Sequence, residues 1–91
     1  MRTTLDFLNE VVKAHPDKIT SDSALARFLG VTRQAIHQYK QGQNMSVLVA
    51  LKVAHILKIN QMETVAATLH AQAATEEEAE FWLDQYKKHK R

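Results

Sequence analysis

The stretch Asp22–Tyr39, DSALARFLGVTRQAIHQY, meets steric demands that few pairs of short helices share. Two helices meeting near a right angle need a small residue where they touch, and Ala26 is placed there. The tight turn between them needs a residue free to take positive φ, and Gly30 stands at that point. Leu25, Leu29, Val31, Ile36 and Tyr39 are spaced to plug the angle, and Thr32 is of the type that caps the next helix. A generic amphipathic hairpin meets one or two of these conditions by chance. All of them at one spacing predict a helix-turn-helix.

Working outward, period and caps predict further helices on both sides. The first runs from about Thr4 to Ala14, with Leu5, Leu8, Val11 and Val12 on one stripe, and Pro16 stops it. The second starts at Thr20 or Ser21 and ends at Gly30. The third runs from the Thr32 cap to about Tyr39 and is closed by Gly42. Ser46 caps a fourth, in which Val47, Ala50, Leu51, Ala54 and Leu57 repeat with helical period, and Asn60 is its expected stop. A fifth runs from about Gln61 to Ala73 with Val65, Ala66 and Leu69 inward. The last spans about Thr75 to Lys88, with glutamates at its start and lysines at its end, as the helix dipole prefers. The chain contains no internal repeat and no low-complexity linker.

Composition agrees with an all-helical chain. At 91 residues, 45% hydrophobic and 24% charged, it is a single-domain length with a modest core, for which a partner surface is plausible. Two glycines and one proline leave little room for hairpins. The absence of cysteine excludes a disulfide scaffold and fits a reducing cytoplasm, the expected location. No apolar stretch approaches a membrane span, and the N-terminus lacks the apolar region of a signal peptide. The net charge of +2 is unevenly spread: residues 1–60 hold eight bases and four acids, residues 61–91 six acids and four bases. A basic first part and an acidic second part suit a polyanion-binding module with an appended element, and equally suit ordinary surface charge.

The run ALARFLGVTRQAIHQYKQG resembles the Cro/repressor-type helix-turn-helix family in its Leu-Ala, Gly-Val-Thr, Ile and terminal Gly landmarks. The resemblance continues through VALKVAHILKI, similar to the family's closing helix, and covers about residues 4–60. The segment ETVAATLHAQAATEEEAEFW is more weakly similar to small regulators of filamentous phages and prophages. The resemblance implies a compact all-α fold of five to six helices: a lambda-repressor-like helix-turn-helix domain over residues 1–60 with a helical extension over 61–91. It also implies double-stranded DNA as partner, with helix 32–39 in the major groove of an operator, most simply as a repressor.

The residues that would point into that groove follow from the sequence itself. With Ala35, Ile36 and Tyr39 packed, the free face presents Arg33, Gln34, His37 and Gln38. Arginine can fork onto guanine O6 and N7, glutamine can pair with adenine N6 and N7, and histidine can donate to a base or a phosphate. The same residues would be ordinary on any solvated helix, and the angle-forming residues beside them favour base reading. Phosphate contacts are expected from the motif's edges: Ser21 and Ser23 at the start of the first helix of the pair, Thr32 at the cap, and Lys40, Gln43 and Asn44 after the second, with Arg27 a weaker candidate. Two departures stand out. Family members often carry bases in the loop before the fourth helix, where this chain has Asn44, Met45 and Ser46. They also usually place an acid where Lys40 stands, paired with an arginine on the first helix, a region that here holds His15.

So few cations imply weak binding by one copy, which pairing would offset by reading two half-sites about one helical turn apart. Phe81, Trp82 and Tyr86 are aromatic anchors of the kind enriched at interfaces, and they are equally suited to packing back on the fourth and fifth helices. Two other readings use residues 61–91 against a different protein: an antitoxin-type DNA binder, or an adaptor that has lost DNA contact. An enzyme is not expected. The five histidines lie 15 to 22 positions apart, outside the i, i+3 or i, i+4 spacing of a helical metal site. No glycine-rich phosphate loop or nucleophile elbow occurs, and the glutamates at 76–80 read as a dipole-matched helix start. No metal or cofactor is implied.

Overall fold

Each helix begins at a polar side chain that takes up a free N–H of its first turn. The computed structural model describes residues 1–90; Arg91, the last of the C-terminal bases, lies outside the described residues. The order is α1 (Thr4–Ala14), α2 (Asp22–Leu29), α3 (Arg33–Lys40), α4 (Val47–Leu57), α5 (Gln61–Ala71) and α6 (Glu76–His89), with no strand among the described residues. The caps are Thr3, Ser21, Thr32, Ser46, Asn60 and Thr75. At α1 the cap is reciprocal: Thr3 Oγ1 accepts from the Asp6 N–H, and Asp6 Oδ2 accepts from the Thr3 N–H at 2.9 Å. Those bonds hold the Asp6 carboxyl below its ordinary pKa.

Asn60 corrects an expectation. It starts α5, its Oδ1 accepting from the Met62 N–H at 2.8 Å, and α4 ends earlier, at Lys58 in the left-handed conformation with φ of 57°. The helix-period readings are right in kind but partly wrong in phase. In α1, Leu8 and Val11 are buried as expected, but Leu5 is 36% exposed, and Phe7 and Thr4 take the inward positions. In α4, Ala50 and Ala54 are inward, joined by Val49 and Val53, while Val47 is 39% exposed. In α5, Ala66 is buried but Val65 and Leu69 are only half-buried, and the inner face is instead Glu63, Thr64, Ala67 and Thr68. Sequence VLVALKVAHIL is apolar almost all round, so period alone cannot choose its inner face.

What chooses is contact between helices. Ala50 and Ala54 of α4 and Ala66 and Ala67 of α5 are all small and buried, which suits close backbone approach. Thr64 Oγ1 donates to the Ala50 carbonyl at 2.7 Å across the α4–α5 seam. A single hydrophobic core runs from Phe7, Leu8 and Val11 of α1 through Leu25 and Leu29 of α2, Ile36 of α3 and Val53 of α4 to Ala66 and Tyr86. The extension over 61–90 therefore shares the core of the first sixty residues. Tyr86 is 7% exposed and is a core residue, which corrects its candidacy for an interface; Trp82 is half-buried against that core and Phe81 is 54% exposed. The Cα radius of gyration is 12.9 Å, close to that of a compact domain of this length. No helix among the described residues is long and apolar enough to cross a membrane.

One polar cluster ties the chain's start to its end. The Arg2 guanidinium lies over the Phe7 ring at 4.4 Å, pairs with Glu10 at 2.6 Å, and also pairs with the buried Glu63. Burial works against its charge, but bonds to Tyr86 and Glu10 and the field of Glu63 outweigh that and raise its pKa.

Candidate nucleic-acid interface

The turn between α2 and α3 closes as a Schellman motif. Gly30 takes φ of 70°, its N–H donates to the Arg27 carbonyl, and the Val31 N–H donates to the Ala26 carbonyl at 2.9 Å. Thr32 then starts α3, with its Oγ1 accepting from the Ala35 N–H at 3.0 Å. Three residues thus separate two eight-residue helices that pack on each other. Glycine is favoured at that φ, and a Cβ there would also stand 3.0 Å from Lys52 Nζ.

The inner side of α3 is anchored by Ile36, fully buried, and Tyr39, with Ala35 half-buried beside them. Burial pushes the Tyr39 pKa up. Arg33, Gln34, His37 and Gln38 are all exposed. Spacing predicts these four as the outward set, and the fold leaves all four in solvent on the side away from Ile36 and Tyr39. Gln41, which spacing did not single out, places its side-chain amide 3.0 Å from His37 Nε2, so the ring is oriented by a neighbour one turn on.

The residues expected at phosphates are arranged around Lys40. It lines one shallow groove with Ser21 and Asp22 and an adjoining one with Gln43 and Asn44. Thr32 stands apart at the other end of α3, and Ser23 is half-buried. The Ser21 and Thr32 hydroxyl oxygens are engaged as caps, accepting from Ala24 and Ala35, which leaves each hydroxyl proton able to donate. The Gln43 N–H donates to the Gln38 carbonyl at 3.1 Å, so its side chain alone is available. Lys40 Nζ pairs with Asp22 Oδ1 at 2.6 Å, linking the end of α3 to the start of α2. An ion pair therefore exists, with its base on α3 and its acid on α2. His15 takes no part in that pair and rests its ring on Phe28, with centroids 5.0 Å apart.

The loop carrying Gln43 and Asn44 is held by a device that spacing did not suggest. Met45 is fully buried, its N–H donates to Thr4 Oγ1 at 3.1 Å, and its carbonyl accepts from the Gln72 amide at 3.3 Å. Thr4 of α1 and Gln72, which caps the end of α5, thus fix one residue of the loop between α3 and α4. Among the described residues no group of three His, Asp or Glu could hold a metal ion. Comparison of the chain with protein-family models, with curated proteins and with solved structures finds no match.

Proposed function

We propose that this chain is a sequence-specific double-stranded DNA-binding regulator with a lambda-repressor-like helix-turn-helix, and that α3 enters the major groove. The observation that carries the reading is the division of α3: Ile36 and Tyr39 lock one side into the core, while Arg33, Gln34, His37 and Gln38 project together from the other. A helix anchored on one face and bearing guanidinium, carboxamide and imidazole groups on the other has the donors and acceptors that base edges require. The start of α2 and the loop before α4 flank it with hydroxyls, amides and Lys40, suited to the sugar-phosphate backbone. Repression, by occupying a promoter, is the simplest outcome for a chain of this size.

Selection of binding sites from random duplexes, followed by titration of the selected site, tests this. The expected result is one preferred half-site, with affinity falling as salt rises by about 0.9 log unit per log unit of salt for each phosphate neutralised. Equal, salt-insensitive binding of all duplexes, or none, would overturn the reading and favour an adaptor acting through residues 61–91.

A further inference from the structure

Between the end of α2 and the middle of α4 lies an open groove of about 470 Å³. Its floor is apolar, made by the half-buried Phe28, Leu51 and Ile56, and its rim is basic, with Arg27, Lys52 and His55. No acid lines it. The Lys52 ammonium is held in place by donating to the Leu29 carbonyl at 3.3 Å. On the same side of α4, one turn earlier, Leu48 is 62% exposed. This groove and the Arg33–Gln38 face share no residue.

The complementary surface is on α6. Glu77, Phe81 and Asp84 follow one another at i, i+4 and i+7 along an exposed stripe, with Glu78 and Glu80 exposed beside them. Phe81 is 54% exposed, and its ring is steadied edge-on against Trp82 at 4.8 Å. An aromatic ring among carboxylates thus faces solvent on one helix, and an apolar groove rimmed by Arg27, Lys52 and His55 faces solvent elsewhere. With that exposure, Phe81 is not seated in the groove of its own chain.

We propose that the groove receives the Phe81 face of α6 from a second copy of this chain, with Glu77 and Glu80 meeting Arg27 and His55. Groove and aromatic knob are different surfaces, so the contact is head-to-tail and leaves one of each free on every pair. One ring and a few ion pairs bury less than the roughly 1,200 Å² of a stable complex. The contact is therefore weak in free solution, sensitive to salt, and effective where copies are held side by side. It stands whether or not α3 reads DNA.

Sedimentation equilibrium of the full chain, from micromolar to about millimolar concentration, tests it together with two variants. The wild-type mass is expected to rise above one chain with concentration and to fall back as salt is added. Phe81→Ser and Arg27→Glu alter exposed residues, so each should keep wild-type helical circular dichroism while self-associating at least about tenfold more weakly. Mixed together, the first supplies an intact groove and the second an intact knob, so the mixture should regain association and stop at two chains. A wild-type chain that stays single at millimolar concentration would assign the groove to another protein and overturn the proposal. Variants that associate like the wild type, or a mixture that stays single, would overturn it as well.

Discussion

In the proposed DNA-binding role, Arg33 is the residue on which base recognition would most depend, because it is exposed on α3 next to a cap that fixes where the helix starts. Arg33→Ala is expected to cost about 1–3 kcal/mol on the selected site and to relax preference at one base pair. An equal loss on every duplex, measured by titration against the selected and scrambled sites, would make it a phosphate contact instead. Lys40 carries a different expectation. Its ammonium is already paired with Asp22, so part of its charge is answered within the protein. Asp22→Asn should raise affinity for specific and non-specific duplexes alike, by about threefold at low salt, and steepen the salt dependence. The sequence showed both charges, but their pairing depends on α2 and α3 crossing so that positions 22 and 40 meet.

At the scale of the element, the closing turns of α2 and α4 make a natural comparison. Both end in a Schellman-type closure, but α2 uses Gly30 and α4 uses Lys58, a side chain held at φ of 57°. That conformation costs a residue with a Cβ about 1 kcal/mol, which glycine avoids at some expense in chain entropy. Lys58→Gly is therefore expected to stabilise the fold by about 0.5 kcal/mol or slightly more in urea unfolding. No lysine marks a stop in a sequence reading, so Asn60 is the natural choice, and it proves to begin the following helix. Side-chain caps were the most legible signals of all. A Ser or Thr oxygen reaching an N–H three residues on is chemistry contained within four residues.

For the whole molecule, the decisive feature is the Arg2 cluster that joins α1, α5 and α6. Glu63 is 2% exposed and owes part of its charge compensation to Arg2. Removing that guanidinium with Arg2→Met should destabilise the fold by about 2 kcal/mol. The paired variant Arg2→Met with Glu63→Met should be closer to wild type than the single change, since a buried ion pair is often replaceable by apolar groups of similar size. Thermal unfolding of the three proteins checks this, and a double variant less stable than the single would refute it. The acidic extension is in this sense part of the core, because Tyr86 and Ala66 complete the cluster around Phe7.

The local rules reached the six helices, the caps Ser21, Thr32 and Ser46, the Gly30 turn and the outward face of α3. Each of these depends on residues within a few positions of one another: a cap, a φ value, a side chain too polar to bury. The inner faces of α4 and α5, the Arg2–Glu63 pair, the anchoring of Met45 and the split fate of Phe81, Trp82 and Tyr86 came only with the folded chain. The reason is that α4 is apolar nearly all round and α5 is built of small and polar residues, so neither has a self-evident inside. Their orientation is settled by which neighbour can approach closely enough for Thr64 to reach the Ala50 carbonyl, a distance that exists only once both helices are in place.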